Sequence, residues 1–469
     1  MSDAPGPQER MAAGKAARKR VPRRSLGEFR PAAGRDPVGL LRSQDTGRVA
    51  ELVPVRYKRM LLSPLAYYRG AALPMAADLA AGPPTGLTVQ LCGDAHLSNF
   101  GGFGSPERRL IFDVNDFDET MPGPFDWDVK RLVASLVLAG RENGLGGAKT
   151  RRVAVAAAAA YRTAMREFAG MPTLDVWYAR LDVQDLIDRL SSQLTKRELR
   201  DSESAVAKAQ ARDNTQAVAK MTRVGADGQR EIAGDPPLIV PIEDLAAELD
   251  PEAAYAVLRE LVRQYGRTLP PDRQHLLSQY RLSRVARKAV GVGSVGTRCW
   301  IVLMEASDGT GPLLLQAKQA QLSVLSGYAG ESRYGHQGER VVNGQRLTQA
   351  ASDIFLGWQR TPEPGGGGHT DYYVRQLRDW KYSAPVDRLT AKALASYGQV
   401  CAWTLARGHA RTGDRLAIAA YLGRSAEFDE ALAGFGEAYA DQTERDRDEL
   451  AGAAAAGRVP TAGPGGPGG

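Results

Sequence analysis

Three cysteines in 469 residues, Cys92, Cys299 and Cys401, leave little scope for covalent cross-linking. Their odd number and wide spacing exclude a disulfide scaffold and offer no ligand spacing for a structural zinc. A reducing cytoplasm fits this usage, and Cys92 beside Gly93 reads as a small buried filler. Histidine is also scarce. His96, His275, His336, His369 and His409 are scattered, so no pair suggests zinc. Long apolar runs are absent as well: no stretch approaches the ~18 uncharged apolar residues of a membrane span. Met1 to Arg30 lacks the apolar segment of a secretory signal. No internal repeat is visible. Nor is there a large excess of one charge: 61 basic against 54 acidic residues leave a formal +7. That balance suits anionic small molecules and falls short of the dense basic stripe of a phosphate-backbone binder.

What is present begins with a 43% hydrophobic composition, enough for a large core in two lobes or domains. Residues 1–50, rich in Pro, Gly, Ala and Arg, read as a basic, partly disordered arm. Tyr57 to Leu62 and Ala66 to Gly70, separated by Pro64, read as helix, turn, helix. Leu87 to Leu91 and Arg109 to Asp113 are short β-prone runs, expected as hairpin partners. Pro122, Gly123 and Pro124 stop any element, and a helix starts near Asp126 or Asp128. Helices are expected over 148–169, 181–220, 251–265, 272–288, 339–356, 390–407 and 427–452. The second of these is polar all round between Lys196 and Lys220, as a solvent-facing insert would be. Trp300 to Met304, Leu313 to Lys318 and Tyr372 to Leu377 read as strands.

Chemistry concentrates in four segments. Gly93-Asp94-Ala95-His96-Leu97-Ser98-Asn99 puts an Asp five residues before an Asn on a loop. There, Asp94 can orient an acceptor hydroxyl and Asn99 can ligate a metal. Asp113-Val114-Asn115-Asp116-Phe117-Asp118-Glu119 follows. Asp116 is ranked as principal chelator, with Asp113 and Asp118 also candidates; in an extended run Asp116 and Asp118 share one face. Gly291, Gly293, Ser294 and Gly296 form a glycine turn between two strands. That is the setting of a phosphate-covering flap, since a dinucleotide fingerprint needs a helix directly after the glycines. Lys318 lies in an apolar strand, where an ammonium needs a partner. Glu339, at the start of the next helix, is the first choice and Glu331 the second. His96 suits a structural or phosphate-contacting role. His409, ending a long helix, either caps that helix or approaches the site.

At these residues the chain resembles the DUF2252 family of uncharacterised bacterial proteins, over roughly Leu52 to Leu450. The resemblance rests on Lys58 to Met60, Tyr68-Arg69-Gly70, Gly93 to Gly101, Asn115 to Glu119 and Gly291 to Gly296. It extends to Gly344 to Arg346, Tyr373 to Leu377 and His409 to Asp414. That family is similar, distantly, to aminoglycoside- and choline-phosphotransferase-type kinases. Carried over, the likeness points to Asp94, Asn99, Asp116 and Asp128. In those relatives the glycine loop and lysine precede the catalytic and metal loops; here they follow. The resemblance therefore implies an α+β, protein-kinase-like, two-lobed fold, circularly permuted and with a helical insert. Residues 51–285 would form the helical lobe with the catalytic and metal loops. Residues 286–380 would form a small β-rich nucleotide-binding lobe, residues 381–452 would complete the large lobe, and 453–469 would be a disordered tail.

The function expected is transfer of a phosphoryl group from ATP, with Mg²⁺, to an unknown small hydroxyl-bearing molecule in the cytoplasm. No membrane or nucleic-acid partner is expected. Two alternatives stay open: a metal-dependent phosphoester hydrolase using Asp94, His96, Asp113, Asp116 and Asp118, and a catalytically silent nucleotide-binding protein.

Overall fold

A computed structural model describes residues 5–190, 196–211, 213–225, 228–245, 250–289, 295–362, 368–377 and 380–461. The fold is mixed α+β, with several helices and small antiparallel sheets. The strands, in order, are β1 (Thr88–Leu91), β2 (Phe100–Gly104), β3 (Leu110–Val114), β4 (Met121–Pro124), β5 (Leu181–Asp182), β6 (Thr222–Val224) and β7 (Arg230–Ile232). They continue with β8 (Ile239–Pro241), β9 (Tyr280–Lys288), β10 (Cys299–Ala306), β11 (Pro312–Ala320), β12 (Gly357–Pro362) and β13 (His369–Gln376).

The largest sheet has the order β12-β13-β11-β10-β9-β8. Apolar clusters cover it on both faces. Ile301, Leu303 and Leu314 meet Met221 on one, and Leu315 and Val374 meet Tyr265 and Phe355 on the other. Burial on both sides explains why Leu313 to Leu315 and Trp300 to Met304 read as continuous apolar runs. The Gln337–Thr348 helix connects β11 to β12.

The helical part is built around Phe125–Glu142, whose first sixteen residues are all buried. Its apolar residues pack into the core, and the buried charges of its first two turns are paired, Lys130 with Asp126, Arg131 with Asp94, and Asp128 with backbone amides. Gly147–Gly170, Ala391–Thr412 and Glu427–Ala455 surround it, so that Val133, Val137, Tyr161, Leu405, Phe428 and Leu432 share one cluster.

Several sequence expectations are corrected. The N-terminal arm is ordered in the described residues: Pro7–Arg20 is a helix packed on Arg415–Leu422. Its charges find partners, Arg10 with Asp414, Arg23 with Glu427, and Arg35 with Asp78 and Asp446. Composition read as disorder because the apolar partners, Tyr421 and Leu422 among them, come four hundred residues later. The helix expected over 272–288 stops at Leu277, and Tyr280–Lys288 is a strand. Its basic side chains masked the alternation, and pairing with β10 decides the outcome. Leu87 to Leu91 and Arg109 to Asp113 are not hairpin partners. β1 pairs with β4, and β3 with β2. Pro122 and Pro124 thus lie within a strand, as two-stranded edge pairing allows. The helix expected to reach residue 356 ends at Thr348, and the next backbone amides turn away: Ala350 N donates to Asp113 Oδ2 at 2.9 Å. In the expected disordered tail, Val459 is buried against Leu450; residues 462–469 lie outside the described part.

Candidate functional site

The Asp94 loop leaves β1 through Gly93, whose φ of +87° a side chain would resist. A Cβ there would lie 2.3 Å from the Glu119 carbonyl oxygen, so only glycine lets the loop touch the acidic run. Asp128 anchors the base. Its carboxylate accepts from Cys92 N at 2.9 Å and Gly93 N at 3.1 Å. His409 Nε2 lies 3.3 Å from the same carboxylate, and Tyr161 OH is 2.8 Å from His409 Nδ1. No side chain caps the Phe125–Glu142 helix; the Asp128 carboxylate holds the base of the Asp94 loop rather than capping a helix or bracing the acidic run.

Within the loop, Asn99 Nδ2 donates to the Asp94 carbonyl at 2.8 Å, and Leu97 N to Ser135 Oγ at 2.9 Å. Asp94 Oδ1 is held by Arg131 at 2.7 Å, and its side chain stays 20% exposed. Burial raises the Asp94 pKa and the Arg131 charge opposes it. His96 Nε2 is 3.7 Å from Asp94 Oδ2. Burial first, then Arg69 and Arg131, push its pKa well down, so the ring is neutral.

The acidic run divides. Asp113 is fully buried, takes Arg407 on both oxygens (2.7 and 2.8 Å), and accepts from Val114 N and Ala350 N. It is turned away from the other two. Asp116 and Asp118 both face Lys318, though the run is not extended: β3 ends at Val114 and a turn at Asp118-Glu119, closed by Thr120 N on Phe117 O, brings the two together. Lys318 pairs with Asp118 Oδ2 and lies 3.8 Å from Asp116 Oδ2. Tyr373, opposite Lys318 across β11 and β13, donates to Asp118 Oδ1 at 2.8 Å. Burial would raise Asp118, but the Lys318 charge and its hydrogen bond outweigh this and lower it. Asp116 goes up, through burial and the Asp118 charge, against Lys318 and Arg375. Glu119 accepts from Val324 N at 2.7 Å, and burial pushes it up to about 7.

Lys318 therefore has aspartate partners, and Glu339 is not among them. Arg340, the next helix residue, turns to this region instead. It donates to Thr120 O (2.7 Å), Asp118 O (2.8 Å) and Gln321 O (2.9 Å), tying the helix to the backbone of the acidic run. Of the glycine turn, Gly291, Gly293 and Ser294 lie outside the described residues. Gly296 packs on Arg48 and its carbonyl accepts from Val49 N at 2.7 Å. A cavity of about 340 Å³ lies between these parts, lined by Arg48, Leu73, Asp118, Glu119, Thr297 and Gln319.

Arg131 and Arg340 escaped sequence reasoning, and Tyr373 and Arg375 entered it only as part of a strand and of the family resemblance. A period-2 reading of β13 with Lys318 would have paired Tyr373 with the lysine; nothing local singles out Arg131. Among the described residues, no group of three or more His, Cys, Asp or Glu side chains is arranged to hold a metal ion. Nor is any described helix long and apolar enough to cross a membrane.

Together these parts define an α+β protein with a lysine–carboxylate centre where an antiparallel sheet meets two short loops. The chain belongs to the DUF2252 family, described as uncharacterized protein conserved in bacteria, whose model matches residues 48–453. Neither a curated protein nor a solved structure matches it.

Proposed function

We propose that this chain is an ATP- and Mg²⁺-dependent phosphotransferase acting on a small hydroxyl-bearing molecule. One observation carries the reading. Lys318 meets Asp116 and Asp118 beside the Asp94 loop, although two hundred residues of chain separate them. The order of β9, glycine turn, β10, lysine-bearing β11 and helix supports it, because kinase-like nucleotide lobes are built in that order. A circular permutation of a two-lobed fold accounts for the chain order. In support, His409 brings the end of the Ala391–Thr412 helix to the base of the Asp94 loop.

The residues fit a hydrated Mg²⁺, which needs only one or two carboxylates besides phosphate and water. Asp116 is one-third exposed, and Asn99 donates its amide nitrogen to Asp94 O, which leaves the amide oxygen available as a ligand. When bound, the metal would neutralise charge on the phosphates. The protein groups do the rest. Lys318 contacts nucleotide phosphates in place of part of its aspartate pairing. Asp94, raised in pKa by burial, takes the acceptor's proton. The acceptor oxygen bonds to the terminal phosphorus, the bond to the bridging oxygen breaks, and its electron pair leaves with ADP.

The test is calorimetry of ATP binding, with and without Mg²⁺, on the wild type and on Asp116→Ala. Metal-dependent binding that the substitution abolishes is the expected result. No binding by folded wild type would sink the proposal and favour the metal-dependent hydrolase. Binding with no turnover in any acceptor screen would favour the silent nucleotide binder.

A further inference from the structure

Tyr68-Arg69-Gly70 has no task in the phosphotransferase reading. Arg69 falls in the last turn of the Pro64–Gly70 helix, between two fixed residues. The Tyr68 carbonyl accepts from Arg131 at 2.8 Å, and its hydroxyl donates to the Arg131 carbonyl at 2.9 Å. Gly70 sits against Met60, where a Cβ would come within 2.8 Å of the sulfur. The backbone at Arg69 is thereby held next to the Arg131–Asp94 pair.

Its side chain is treated differently from its neighbours. Arg131 holds Asp94 and Tyr68 O, Arg340 holds three carbonyls, and Arg375 donates to Asn115 O. Arg69 has no hydrogen-bond acceptor and no ion-pair partner among the described residues, and its Nε is sealed from solvent. Arg131 takes Asp94 Oδ1, and no hydrogen bond joins Arg69 to the other oxygen. The guanidinium nonetheless lies within electrostatic reach of Asp94 and of His96. Four residues on, Leu73 lines the cavity that Arg48, Asp118 and Glu119 also line. A buried donor left unmatched costs stability, and an incoming anion would offset that cost. A guanidinium fork suits a phosphate's oxygens better than a single charge does.

We propose that Arg69 binds the terminal phosphoryl group of the nucleotide, beside Asp94 and opposite Lys318, as an arginine supplied from within the chain. This rests on the phosphotransferase reading. In transfer, Arg69 would hold the equatorial oxygens of the phosphoryl group as it passes to the acceptor hydroxyl.

Binding of ATP and of ADP, each with Mg²⁺, is compared by calorimetry in wild type, Arg69→Ala, Arg69→Lys and Asp116→Ala, with thermal unfolding of each apoprotein. We expect Arg69→Ala to weaken ATP roughly tenfold or more while leaving ADP unchanged. Arg69→Lys should fall between the two. The apoprotein midpoint of Arg69→Ala should stay close to the wild type, since no hydrogen bond or ion pair is lost. An unchanged ATP-to-ADP ratio would overturn the assignment while leaving the phosphotransferase reading intact. An apoprotein midpoint clearly lowered in both Arg69→Ala and Arg69→Lys would mark Arg69 as structural and overturn it too. Failure of the wild type to bind ATP would remove both.

Discussion

Within one seven-residue run, three aspartates have different surroundings, and those surroundings separate their roles. Asp113 is closed in with Arg407, and breaking such a buried pair typically costs about 3–5 kcal/mol. Asp113→Ala should therefore lower the urea midpoint sharply, whereas Asp116→Asn should change it little and, on the phosphotransferase proposal, remove Mg²⁺-dependent ATP binding instead. Reversed outcomes would transfer the metal role to Asp113. Tyr373→Phe removes a buried hydrogen bond to a charged group and should cost about 1.5 kcal/mol by the same denaturation. Asp128→Ala strands the Cys92 and Gly93 amides together, with an expected loss of about 3 kcal/mol. Asp94, Asn99 and Asp116 stand out as candidates in sequence because their spacing is local. The partners of Lys318 do not, because helix spacing nominated Glu339 and only the fold brings Asp118 within reach.

Among the elements, the helices Gly147–Gly170, Ala391–Thr412 and Glu427–Ala455 and the strands β10, β11 and β13 were readable from periodicity. The single polar helix expected over 181–220 was not found: β5 opens that stretch, separate helices follow, and Ala217, Val218 and Met221 are buried against the large sheet. Nor were β2, β4 and β9 readable. Phe100 to Gly104 is mostly glycine, two of the four residues of β4 are prolines, and β9 carries four basic residues that pass for a helix face. In each case pairing overrides local preference. Where a cap is explicit, its contribution is testable. Asp414 accepts from Leu416 N and Ala417 N at the start of Arg415–Leu422 and pairs with Arg10. Burial raises its pKa, but the Arg10 hydrogen bond and the backbone donors outweigh this, and the net shift is downward. A depressed folded-state pKa stabilises above the unfolded value, near 4, and the benefit disappears as pH falls through the folded one. Asp414→Ala should thus lose about 1 kcal/mol at pH 7. Its melting curve should converge with the wild type's in acid; a gap independent of pH would assign the loss to something other than the ionised carboxylate.

On the scale of the whole molecule, the N-terminal segment acts as a brace. Gly14 allows its helix to approach so closely that a Cβ would lie 2.0 Å from the Ala417 carbonyl oxygen. Gly14→Val should lower the thermal midpoint through overpacking worth about 1–3 kcal/mol; an unchanged midpoint would mean that the helix detaches at no cost. That brace also imposes an order of events on synthesis. Arg10 and Asp414 are 404 residues apart, and Asp118 and Lys318 are 200 apart. At about 5–20 residues per second, a ribosome takes roughly 10–40 s to deliver the lysine after the aspartates, and about twice that to deliver the brace's partner. During that interval the acidic run has no counter-charge and the first helix no surface to lie on. Nascent chains should therefore remain protease-sensitive throughout the N-terminal half until the last helices emerge.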